Sequence, residues 1–96
     1  MIKIVAKFVV KDECIDRFKE LASELVEKSA KEDGNAFYTL NQSTKAANEF
    51  AFIECWKDKE STDKHGASEH FTRIFPQLKE CNEGDLSIDS FVEIFS

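Results

Sequence analysis

The sequence predicts an α+β domain whose strands and helices follow the order β-α-β-β-α-β. Three observations lead there. A β-branched and aromatic run, Ile2 to Val10, gives way after Asp12 to apolar residues at helical spacing. Two further strand-like runs, Ala36 to Ser43 and Glu49 to Trp56, are separated only by the polar stretch Thr44 to Asn48, the mark of an antiparallel hairpin. A second helical region, Asp58 to Leu78, then leads to a last strand over Leu86 to Phe95.

Each element has its own warrant. In the first strand Ile2, Ile4, Ala6, Phe8 and Val10 share one face, which is continuously apolar and expected against the helices. Lys3, Val5, Lys7 and Val9 share the other, a mixed face suited to a partly wet cavity or an interface. Asp12 is the expected N-cap of the first helix, which starts at Glu13. Cys14, Ile15, Phe18, Leu21, Ala22, Leu25 and Val26 form its apolar stripe, and Glu24 and Lys28 are spaced as a surface ion pair. Gly34 offers the left-handed residue that ends it. In the third strand Phe50, Phe52, Glu54 and Trp56 lie on one face, with Ala51, Ile53 and Cys55 on the other.

The second helical region should come in two pieces. Asp58 can cap a short helix over Lys59 to His65, and Gly66 can stop it. Ser68 can cap the next, whose stripe is Phe71, Ile74, Phe75 and Leu78. Pro76 lacks a backbone donor and is expected to kink or split that helix near Phe75. Asn82 to Gly84 is a polar break. The whole is the ferredoxin-like, split βαβ plan: a four-stranded antiparallel sheet with helices on one face. The other face needs cover, and packing against a second copy would supply it.

Composition narrows the function classes. The 96 residues make a single domain, residues 1–96, small enough that part of its load of nine phenylalanines is expected to be buried against a partner. The net charge is −6 with no basic stripe, which argues against nucleic acid. No apolar run reaches membrane-spanning length, and MIKIVAKFVVK lacks the parts of a signal peptide, so the expected location is the cytoplasm. Cys14, Cys55 and Cys81 are odd in number, without a CxxC pair, and read as free thiols; no Cys/His cluster has zinc spacing. Neither metal nor cofactor is expected.

Four stretches together resemble the antibiotic biosynthesis monooxygenase family. They are MIKIVAKFVVKDE running into a helix with Phe18; KEDGNAFYTLNQS, similar to its glutamate-glycine turn before an aromatic-bearing strand; FAFIECWKD, similar to its glutamate-any-tryptophan strand end; and His65-Gly66-Ala67-Ser68-Glu69-His70-Phe71, similar to its histidine signature. The resemblance implies a homodimer, a dimeric α+β barrel. It also implies one of several chemistries: cofactor-independent oxygenation of quinols and aromatic polyketides, haem degradation, or isomerisation of a phosphorylated sugar. The first strand lacks the asparagine of haem-degrading relatives, which disfavours that branch.

A cofactor-free oxygenase must deprotonate a phenol or enol and hold the electron-rich anion in a dry pocket. Histidine suits the proton transfer and aromatic walls suit a flat substrate. The resemblance therefore singles out His65 and His70 as candidate catalytic residues, against plain structural roles at a helix end and a helix start. Tyr38, Glu54, Trp56 and Phe71 are candidate substrate contacts. Tyr38 could donate to a ligand oxygen, and Trp56 and Phe71 could equally be core. Glu54 could be a base with a raised pKa, or could pair with Lys3 or Lys7, the reading we favour from sequence. The leading expectation is a cofactor-independent monooxygenase of a quinol or related aromatic. The alternatives are an acid–base isomerase of a small hydroxyketone or sugar phosphate, and a non-catalytic ligand-binding dimer.

Overall fold

A computed structural model describes residues 1–96. The strands are β1 (Ile2–Val9), β2 (Asn35–Gln42), β3 (Glu49–Trp56) and β4 (Ser87–Val92). The helices are α1 (Ile15–Ala30), α2 (Lys59–Gly66) and α3 (Glu69–Cys81). The four strands form one antiparallel sheet in the order β2-β3-β1-β4, the ferredoxin-like arrangement, with the helices on one face.

The register explains which side chains meet the helices. Phe8 pairs with Phe50, Ala6 with Phe52, Ile4 with Glu54 and Ile2 with Trp56. Paired residues in an antiparallel ladder point to the same side. Ala6, Phe8, Phe50, Phe52, Glu54 and Trp56 are all buried there, beneath Phe18, Ala22 and Leu25 of α1 and Ile74 and Leu78 of α3. The alternation read from the sequence therefore assigns the inner face correctly. The expected Glu24–Lys28 pair forms at 2.9 Å, and Glu24 also takes the guanidinium of Arg73, tying α1 to α3. The three cysteines are free.

Four local expectations are corrected. Asp12 does not cap α1: residues Asp12–Cys14 form a 3-10 turn without a side-chain cap, and α1 starts at Ile15. Gly34 does take a left-handed conformation, φ +88°, but in the turn to β2 and not directly at the end of α1. Pro76 does not split α3, which runs unbroken from Glu69 to Cys81. Pro76 and Thr72, whose carbonyl loses the bond, are both on the exposed side, where water can satisfy that group, while Ile74 and Leu78 hold the inner side. β4 stops at Val92, short of the expected Phe95; beyond it the last contact with β1 is Glu93 N–H to the Met1 carbonyl.

The outer face of the sheet carries no helix. Val9, Phe37 and Phe91 are exposed on it. A shallow hollow of about 460 Å³ lies over Lys7, Val9, Asn41, Glu49 and Ala51 on that side. Its ionisable lining residues are Lys7, Glu49 and Asp85. No helix is long and apolar enough to cross a membrane.

Candidate active site

The site lies on the inner face, at the end of the sheet where β3 finishes. Two capped helices deliver its histidines. Asp58 Oδ1 accepts from the Ser61 backbone N–H at 2.9 Å and from the Ser61 hydroxyl at 2.7 Å, which starts α2. Ser68 Oγ accepts from the Phe71 N–H at 3.3 Å and donates to the His65 carbonyl at 2.6 Å, locking the end of α2 to the start of α3. His65 in the last turn of α2 and His70 in the first turn of α3 are thereby brought to a ring separation of 6.1 Å.

A third residue joins them. Glu32, in the turn after α1, places Oε2 at 2.6 Å from His65 Nδ1 and 2.9 Å from His70 Nε2. Gly34 makes this approach possible. A Cβ there would sit 2.1 Å from Ser61 Oγ of α2, and the Gly34 carbonyl accepts from the Lys57 N–H at 2.8 Å, tying the turn to the link between β3 and α2.

The sheet supplies the opposite wall. Tyr38 of β2 is the register partner of Glu54 of β3, and its hydroxyl reaches His65 Nε2 at 3.4 Å. Trp56 Nε1–H donates to Glu54 Oε1 at 2.7 Å, and the indole lies 4.7 Å from the His65 ring. Phe71 meets the other side of that ring at 4.8 Å and stacks on Phe75 at 4.7 Å. Between the walls is a mostly apolar cavity of about 170 Å³. Tyr38, Glu54, His65 and Phe71 line it, with Phe52, Phe75 and Ile88.

The candidates therefore divide. Tyr38, Glu54, His65 and Phe71 reach the cavity. His70 and Trp56 stand behind it, His70 on Glu32 and Trp56 on Glu54 and His65. Trp56 is fully buried. The expected pairing of Glu54 with Lys3 or Lys7 is wrong. Both lysines belong to the outer face, and Lys3 pairs with Glu93 at 2.8 Å. Glu32 was missed as a site residue. Its signal was the acidic residue just before the glycine turn, within the KEDGN motif.

Burial sets the electrostatics. Desolvation pushes the Glu54 carboxyl up to about 7, against the Trp56 and Tyr38 hydrogen bonds that favour its anion. Burial and the nearby Glu54 raise the Tyr38 phenol, so it stays protonated. Burial lowers His65 below its ordinary 6.5 despite the Glu32 carboxylate, so it is neutral near pH 7. Glu32, His65 and His70 are also the one group whose donor atoms, all within 4.8 Å of one another, could reach a common cation. Their 2.6 and 2.9 Å spacings are hydrogen-bond lengths, however, and a shared proton satisfies each of them.

A family model described as "Antibiotic biosynthesis monooxygenase" matches residues 1–77. The Bacillus subtilis (strain 168) protein "Putative monooxygenase YcnE" is 33% identical over 88 residues, covering 92% of this chain and 93% of that one. A crystal structure of an antibiotic biosynthesis monooxygenase superposes with a TM-score of 0.93 at 35% identity, covering 98% of this chain and 99% of that one. A conserved protein from Methanosarcina mazei Go1 gives a TM-score of 0.91 at 37% identity, covering 94% and 89%. With a family model matching most of the chain and a relative 33% identical over 92% of it, the chain belongs to the antibiotic biosynthesis monooxygenase family.

Proposed function

We propose that this chain is a cofactor-independent monooxygenase that oxidises a small electron-rich hydroxyaromatic, such as a quinol. The observation that carries this reading is the cavity itself, an aromatic-walled space whose polar groups include a poised carboxylate, Glu54, and the Tyr38–His65 pair. Its volume, about 170 Å³, is close to that of an engineered cavity of about 150 Å³ that takes up benzene. One substituted ring fits inside, and a larger substrate would protrude from the mouth.

The chemistry needs no more than the substrate's own electrons. Glu54, as the anion, accepts the phenolic proton, and the phenolate gives one electron to O₂. The phenoxyl radical and superoxide combine, forming a C–O bond at a ring carbon that carries hydrogen. Protonation of the outer oxygen, loss of that C–H proton and cleavage of O–O leave a carbonyl and water. One oxygen atom enters the product and the other departs in water. Aromatic walls favour a flat anion with dispersed charge and keep water from quenching it.

The acidic chain provides no lysine or arginine in the cavity lining. That weighs against a sugar phosphate, whose dianion would stay unpaired there. The uncovered outer face, with Val9, Phe37 and Phe91, supports a homodimer built sheet to sheet.

The direct test is an oxygen electrode with a panel of quinols and related phenols, without added metal or flavin. The expected result is one O₂ consumed per quinone formed, lost in His65→Gln. Turnover that proceeds under anaerobic conditions would indicate an isomerase instead, and no turnover of any electron-rich aromatic would overturn the reading.

A further inference from the structure

We propose that Glu32 is the positioning residue of this site, fixing His65 in the Nδ1–H tautomer so that its Nε2 accepts a substrate proton relayed from Glu54 through Tyr38. This deepens the functional reading above and rests on it.

The argument is one of hydrogen-bond bookkeeping. An ionised carboxylate only accepts. Glu32 Oε2 is 2.6 Å from His65 Nδ1 and 2.9 Å from His70 Nε2, so both nitrogens carry hydrogen and donate to it. A neutral imidazole has one N–H, which leaves His65 Nε2 as a lone pair. The only group facing that lone pair is the Tyr38 hydroxyl, at 3.4 Å. Tyr38 in turn stands directly across the β2–β3 ladder from Glu54. The four residues thus form a line from the cavity to the Glu32 turn.

The direction of proton travel follows. Glu54 takes the proton from the substrate. It passes a proton to the Tyr38 oxygen as the Tyr38 O–H gives its own to His65 Nε2. The imidazolium formed is held between Tyr38 and the Glu32 carboxylate, in the manner of a carboxylate behind a catalytic histidine. The reverse transfer later returns the proton to the leaving oxygen. No proton is lost, and Glu54 is ionised again while the anion reacts.

The second histidine then has a distinct duty. His70 is outside the cavity lining and touches the site through the same Glu32 oxygen. Its N–H holds the carboxylate in place, so it acts through Glu32 and is not a catalytic residue. The buried Ser29 hydroxyl, which has no other partner, lies beside the Tyr38 hydroxyl.

The test is ¹⁵N NMR of the imidazoles in the ligand-free protein, which does not depend on turnover. The expected spectrum at neutral pH has a protonated Nδ1 and an unprotonated Nε2 for His65. In Glu32→Ala the tautomers should mix, and kcat on the best phenol should fall by on the order of ten- to a hundredfold with little change in KM. Glu32→Gln, which keeps an accepting oxygen, should restore the tautomer and part of the rate. His70→Ala should give a smaller loss of the same kind, and serves if the Glu32 variants do not fold. A His65 with hydrogen on Nε2, or with Nδ1 bound to a metal copurifying with the protein, would overturn the proposal. So would a Glu32→Ala protein with unchanged tautomer and rate. Absence of any oxygenase activity beside the expected tautomer would overturn the functional reading and leave the positioning role of Glu32 standing.

Discussion

The two ends of the inner sheet face are built from the same strands and have opposite characters. At one end Phe8, Phe18, Phe50 and Phe52 pack ring to ring, with centroids 5.1 to 6.2 Å apart. At the other, the same inward positions of β3 carry Glu54 and Trp56, and the same position of β2 carries Tyr38. What differs is the cover. The first turn of α1 lays Phe18 directly on the first end. The second end is covered by α2, which is short and polar, and by its junction with α3. There the cover does not fill the space, and a cavity with titratable walls remains. A strand's alternation thus selects a face, and the element above it decides whether that face becomes core or site.

The first way to break this contrast is Phe18→Ala. At the closed end it removes a fully buried ring with aromatic partners on β1 and β3, and should cost about 3–5 kcal/mol. Urea unfolding measures it. A loss under about 1 kcal/mol would mean that the aromatic end is not the stability core.

Glu54→Gln probes the open end. The Glu54 carboxyl is raised to about 7 from the ordinary 4.5, so the folded state binds its proton more tightly than the unfolded chain. Its contribution is therefore complete below about 4.5 and is lost as pH rises through about 7. The loss is on the order of 3 kcal/mol. His65 has the opposite sign. Its lowered pKa makes folding favour the neutral ring, a contribution present above its ordinary 6.5 and lost on acidification. Glu54→Gln should abolish the decline toward alkaline pH and leave only the acid-side fall. Parallel stability–pH curves for the two proteins would show that Glu54 is not desolvated.

A smaller effect is expected at Gly34→Ala, which combines a left-handed φ of +88° with a Cβ 2.1 Å from Ser61 Oγ. The cost should be about 1–3 kcal/mol, with the Glu32 turn pushed from α2. His65 and His70 imidazole shifts should move with it. Unmoved shifts would mean that the turn does not set the position of Glu32.

The sequence made most of the fold legible because β1 and β3 alternate between faces and α1 and α3 each carry one apolar stripe. Asp58 and Ser68 were readable as caps from their place before short helical runs, and both make the bonds expected of them. Pro76 misled because propensity gives no account of which side of a helix faces water. The Glu54 ion pair misled because face assignment was not carried across the register to Lys3 and Lys7. Glu32 was hidden for a different reason. Its role comes from the meeting of a turn, a helix end and a helix start, separated by 33 and 38 residues from its two partners. The KEDGN motif marks an acidic turn, but no local pattern names the two histidines it meets.

The central claim is that the open end works as an acid–base pocket in which ionised Glu54 takes the substrate's proton. The most direct test is kcat/KM for a quinol against pH, in the native protein and in Glu54→Gln. The rate should rise with pH through about 7 in the native protein, where the Glu54 anion forms, and be flat and at least about a hundredfold lower in the variant. A profile that Glu54→Gln leaves unchanged would contradict it.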